Sequence, residues 1–174
     1  MAAEIKKNWL TTRMTVTLGL LIALEIVLSR FLSFAAWNMK IGFAFVPVAL
    51  AAMLYGPVAA AIVGGLGDII GALMFPIGPY APGFTVTAVL MGLVLGFLLQ
   101  KRRELWRVLT AVCVNQLVLS LFLNTLWISM LYSSAYWPLL VTRLVQCAIL
   151  VPVQLAVILL MEKALERFDR GREL

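Results

Sequence analysis

Apolar residues in this chain fall into long, nearly unbroken blocks, unlike the alternation of a strand or the one-sided stripe of a soluble helix. The blocks cover roughly residues 14–34, 41–54, 58–75, 84–99, 108–131 and 139–161. Short clusters of Pro, Gly, aromatic and charged residues part them. Tyr55-Gly56-Pro57 reads as a tight turn, because Pro restricts the residue before it and Gly accepts unusual dihedrals. The run Pro76-Ile77-Gly78-Pro79-Tyr80-Ala81-Pro82-Gly83 breaks a helix. Residues 101–107 form a charged loop, residues 132–138 a turn, and a charged tail closes the chain. A membrane-spanning helix takes about 20 mostly apolar residues. The pattern therefore predicts an all-α membrane protein of six transmembrane helices, one domain over residues 1–174.

Composition supports lipid as the solvent. The chain of 174 residues is 63% hydrophobic and 13% charged, against about 45–50% and about 25% in soluble domains. If the N-terminus lies inside, 11 of the 14 Lys and Arg residues fall on the inner side: Lys6, Lys7, Arg13, Lys101, Arg102, Arg103, Arg107, Lys163, Arg167, Arg170 and Arg172. The excess of cations on cytoplasmic loops then places both termini in the cytoplasm. The net charge of +6 is accounted for by those loops and does not call for nucleic acid. The basic start followed by an apolar block reads as an uncleaved first helix, not a signal peptide.

Reactive chemistry is sparse. There is no histidine, and Cys113 and Cys147 sit inside apolar blocks, where Cys acts as a small hydrophobe. Neither a metal-ligand spacing nor a phosphate-binding glycine loop nor a nucleophile elbow is present, so no catalytic residue, metal or cofactor is expected.

What remains are polar residues inside apolar blocks. Three cations, Arg30, Lys40 and Arg143, map to the outer half, against the charge rule. They either snorkel to headgroups or hold an anion taken from outside. Glu25 and Asp68 fall within spans; Asp68 either neutralises Arg143 or accepts hydrogen bonds from a ligand. Asn124 and Trp127 stand three apart on one helix face, a pairing that suits a flat heteroaromatic ring. Tyr132, Tyr136 and Trp137 fit an interfacial belt. Asn115, Gln116 and Gln154 read as bridges between helices. The third block is crowded with Ala59, Ala60, Ala61, Gly64, Gly65, Gly67 and Gly71, which marks a helix at the centre of the bundle.

These residues carry a resemblance. The stretches Leu28-Ser29-Arg30-Phe31-Leu32-Ser33, Lys40-Ile41-Gly42-Phe43-Ala44-Phe45-Val46-Pro47 and Tyr55-Gly56-Pro57, and the run from Asp68-Ile69-Ile70-Gly71 through Phe84-Thr85, resemble the folate-specific S-components of energy-coupling factor (ECF) vitamin transporters. Asn124-Thr125-Leu126-Trp127 and Arg143-Leu144 match as shorter elements. The resemblance implies a six-helix subunit of a prokaryotic plasma membrane. It would capture folate on its outer face and dock on a transmembrane coupling subunit that bears two ATPase subunits. A docking face of small residues on the first helix is implied, and its nearest match here is Gly19 and Ala23.

Folate joins a flat pterin ring to a tail with two carboxylates. Arg143 and one of Arg30 or Lys40 would clamp the carboxylates. Asp68, Asn124 or Gln146 would pair with the ring, and Tyr80, Phe84 or Trp127 would stack on it. The alternatives are an S-component for riboflavin or thiamine, an oligomeric channel, or a small membrane enzyme acting on lipid. The outer cations speak against thiamine, and the lack of a catalytic pair speaks against the enzyme.

Overall fold

The computed structural model describes residues 11–35, 40–100 and 104–170. The first helix, α1, covers Thr12–Arg30. A two-residue antiparallel ladder follows, β1 Phe34–Ala35 with β2 Lys40–Ile41, Phe34 standing opposite Ile41. Then come α2 Phe45–Tyr55, α3 Pro57–Met74 and α4 Pro82–Leu99. The fifth rod is continuous but changes winding along its length: α5 Leu105–Cys113, a π-helical stretch Val114–Leu123, and α6 Asn124–Tyr132. The last helix, α7, covers Tyr136–Arg170.

Five segments are long and apolar enough to cross a membrane: Thr12–Arg30, Pro57–Met74, Pro82–Leu99, Leu105–Tyr132 and Tyr136–Arg167. The second block forms a sixth, shorter apolar helix. With 11 residues, α2 rises about 16 Å at ~1.5 Å per residue, roughly half of a ~30 Å hydrocarbon core. Local chemistry shortens it at both ends. Lys40 and Ile41 are drawn into the ladder, and Gly56 takes φ +88° ahead of Pro57, which opens α3. The ladder is the one departure from an all-helical chain among the described residues. Pro57 and Pro82 both sit in the first turn of their helices, where a missing N–H costs nothing.

Apolar side chains are found on both the inside and the outside of the bundle, and several polar ones turn inward. Along α7 the buried stripe is Leu139, Arg143, Gln146, Cys147, Leu150, Gln154, Ile158 and Glu162, at helical spacing. Val141, Val145, Ile149 and Leu160 on the opposite faces are exposed apolar groups that suit lipid. As the glycine crowding predicts, α3 is central, packed against α1, α2 and α4. Its approach to α4 is close: a Cβ built on Gly92 would stand 2.5 Å from the carbonyl oxygen of Ala60. Backbone-to-backbone contact of this kind gains dispersion where lipid offers no hydrophobic drive.

Gly92→Ala is expected to lower stability by about 1–3 kcal/mol, the usual range for overpacking against atoms that cannot yield. Gly19→Ala, where nothing lies within 4 Å of the new methyl, is expected to hold or raise it. Melting of the two purified variants in detergent checks the contrast.

Candidate binding site

One cavity of about 550 Å³ opens among α1, α3, α4, the fifth rod, α7 and the 75–81 loop. That is the size range of sites for drug-sized molecules. Arg30 comes from the end of α1, Asp68 and Ala72 from α3, and Tyr80 from the loop. Phe84, Thr87 and Met91 come from α4, and Arg143, Gln146, Leu150 and Gln154 from α7. The described lining carries two arginines against one aspartate.

The α1 side is organised by a chain of polar contacts. Arg30 Nη2 lies 3.6 Å from Asp68 Oδ1, with both side chains largely buried, and donates to the Asp68 carbonyl at 3.4 Å. Thr85 Oγ1 donates to Asp68 Oδ2 at 2.7 Å. With its only proton so used, Thr85 accepts from the Tyr80 hydroxyl at 2.9 Å. The partner of Asp68 is thus Arg30 and not Arg143. The small residues of α3 make this possible: a Cβ on Gly71 would stand 2.9 Å from Arg30 Nε. One Cβ on Gly67 would run into the Glu25 carboxylate, which is buried against α3.

The far wall is the π-helical stretch. There i→i+5 bonding brings residues four and five apart onto one face, and Asn115, Gln116, Leu119, Ser120 and Asn124 all line the cavity. Two contacts tie this wall to α7. Arg143 Nη2 donates to the Ser120 carbonyl at 3.1 Å, and the Cys147 thiol donates to the Gln116 carbonyl at 3.3 Å. The side-chain carbonyl oxygens of Asn115, Gln116 and Asn124 are buried with no hydrogen-bond partner.

Of the residues expected at a site, Arg30, Asp68, Tyr80, Phe84, Asn124, Arg143 and Gln146 converge on this cavity. Trp127 does not line it. Its ring packs on Gly83, and its Nε1 donates to Thr87 Oγ1 at 3.1 Å, so it fastens α6 to α4 behind the wall. The side chain of Lys40 lies outside the described residues. Gly19 and Ala23 are both on the exposed face of α1 and not in a helix contact of the bundle. Asn115, Gln116 and Gln154, read from the sequence as bridges between helices, are lining residues.

A bundle of membrane-length helices built around one net-cationic chamber of small-molecule size defines the class: a membrane protein with an internal binding site. The family model for the substrate-specific component of ECF transporters matches residues 13–162, and the chain belongs to that family. It is 40% identical over 153 residues to the folate transporter FolT of Clostridium novyi (strain NT), covering 87% of this chain and 89% of that one. It is 34% identical over 155 residues to the folate transporter FolT of Leuconostoc mesenteroides, covering 85% and 83%. A solved structure described as FolT bound with folic acid superposes with a TM-score of 0.78 at 34% identity, covering 83% of this chain and 88% of that one. The family is one of transporter substrate-binding components, not of enzymes.

Thr85→Val deletes the middle of the Tyr80–Thr85–Asp68 chain and leaves a largely buried carboxylate short of a donor. A loss of about 1–3 kcal/mol is expected. Tyr80→Phe, which removes only the outer and partly exposed end, is expected to lose less. Thermal unfolding of the ligand-free variants, followed by tryptophan fluorescence, ranks them.

Proposed function

We propose that this chain is the folate-capturing subunit of an ECF transporter. It binds the vitamin from outside in the cavity described above and surrenders it after docking on a coupling subunit that bears two ATPases. The observation that carries the proposal is the convergence of Arg30 and Arg143 on one chamber whose largely apolar lining also carries amides, hydroxyls and aromatic rings. A ligand with a polyanionic tail and a flat, hydrogen-bonding ring suits that lining. The FolT relatives and the folic acid-bound neighbour support the same ligand. Both termini lie in the cytoplasm of a prokaryotic plasma membrane, with the cavity in the outer half.

In this reading the carboxylates meet the guanidinium groups of Arg30 and Arg143, and Tyr80 and Phe84 flank the ligand. Asp68 already serves Arg30 and Thr85; its free lone pairs remain acceptors for a ligand N–H. The exposed Gly19 and Ala23 on α1 offer a smooth surface for a partner helix.

Calorimetry on the purified chain, without partner subunits, is expected to show tight one-to-one folate binding and none of comparable strength for riboflavin or thiamine. Arg143→Ala is expected to weaken folate by about tenfold or more, the loss of a charge-assisted hydrogen bond. Unchanged affinity in that variant would remove Arg143 from the site. Tight riboflavin binding would keep the class and overturn the substrate.

Gly19→Trp places a large ring on the outer face of α1, away from the cavity. It is expected to leave folate affinity within about twofold while abolishing co-purification with the coupling subunit, because close packing in lipid depends on small residues. Retained co-purification would move the docking face elsewhere.

A further inference from the structure

The deepest part of the cavity is occupied by neutral amides and not by charge. Asn115 and Gln116 lie in the first third of the π-helical stretch, and Gln154 faces them from α7, nearer the middle of its span than Arg143. Asn115 is 5% exposed and Gln116 is 4% exposed. The side-chain oxygens Asn115 Oδ1 and Gln116 Oε1 are buried and take no hydrogen bond. A buried acceptor without a donor is costly, so native proteins retain few of them without a reason. Packing does not supply the reason, since an apolar residue of the same shape would fill either position without the penalty. Both side chains line the cavity, and a terminal amide turns about a soft torsion. Their oxygens are thus placed to accept from donors that a ligand brings into the cavity.

Their placement depends on the unusual winding. Gln116, Ser120 and Asn124 stand four apart, but on a regular α-helix Asn115 would point to the side opposite Asn124. With i→i+5 bonding all four reach the same cavity. The Cys147 thiol and the Arg143 guanidinium, bonded to the carbonyls of Gln116 and Ser120, hold this stretch against α7.

We infer that Asn115 and Gln116 form an acceptor floor that selects the ligand's ring by its adjacent N–H donors. The inference rests on the folate reading above and deepens it. The 2-amino-4-oxopteridine end of folate carries an exocyclic amine next to a ring N–H, two neighbouring donors for two acceptors. The flavin ring offers a single N–H flanked by two carbonyls, which would face the amide oxygens unfavourably. The orientation follows from solvation: a neutral ring is cheaper to bury deeply than a carboxylate, so the ring goes to the floor and the charged tail stays with the arginines.

The test pairs substitutions with a chemical deletion. Asn115→Leu and Gln116→Met keep size and remove the acceptor. Each is titrated with folate and with the folate analogue that carries hydrogen in place of the 2-amino group. At least one variant is expected to lose about tenfold on folate, the effect of stranding a buried donor, and about twofold or less on the analogue. Retained analogue binding shows that the variant is folded. Equal losses on both ligands in both variants, or no loss on folate in either, would overturn the acceptor floor. If the unmodified chain binds no folate, the function proposed above fails first, and the floor falls with it.

Discussion

The close approach of α3 to its neighbours is the contact on which the rest of the bundle depends. A membrane offers apolar side chains almost nothing for leaving lipid, so helices associate through dense backbone contact and through polar groups that have nowhere else to go. On this one helix the two halves use the two means separately. The half that starts at Pro57 presents Ala59, Ala60, Val63 and Gly64 to α2 and α4 and forms the tight part of the core with Val48, Leu95 and Leu99. The half that ends at Met74 presents Gly67 and Gly71 to α1, where Glu25 and Arg30 fold over bare backbone. Were these glycines larger, α1 would be held off and the Arg30–Asp68 pair could not form within the wall of the cavity.

That pair also shapes what the cavity can accept. Asp68 shares its carboxylate between Arg30 and Thr85 and, through Thr85, reaches Tyr80 on the loop that covers the site. A carboxylate arriving at Arg30 meets a cation whose other flank is already negative, so it approaches from the side away from Asp68. Asp68 in turn is left to accept hydrogen bonds and cannot serve as an anion's partner. Each charge therefore restricts where the opposite ends of one ligand can lie.

Much of this was legible in the sequence, for a physical reason. In blocks so apolar, each polar residue is an expense that something must offset, and Arg30, Asp68, Asn124, Arg143 and Gln146 stood out on that ground alone. The glycine crowding of residues 59–71 likewise announced a central helix. Other features were hidden by the assumption of regular geometry. Hydropathy shows that residues 41–54 are apolar but not that Lys40 and Ile41 pair with a strand, so α2 came out shorter than a span. Asn124 and Trp127 stand three apart on one α-helix, but the Trp127 ring is taken up by Gly83 and Thr87 of α4 and only Asn124 reaches the cavity. Asn115 and Gln116 were visible as polar residues but passed for bridges between helices, because regular α-helical winding turns Asn115 away from Asn124.

The π-helical stretch also settles how one rod serves two purposes. A wider winding spends more residues per turn, so it exposes more side chains to a cavity per unit of length and strains the backbone bonds that lipid would otherwise demand be ideal. The rod returns to α-helix on both sides, at Leu105–Cys113 and Asn124–Tyr132, and the deviation lies only where the cavity lies. Its carbonyls at Gln116 and Ser120 gain side-chain donors from α7, which offset part of that strain. The same Arg143 that faces the cavity thus helps hold the wall whose amides line the floor. The charge that would attract an anionic tail and the amides that would sort its ring are mechanically one unit, and a molecule satisfying only one of them would leave the other's buried polar groups unanswered.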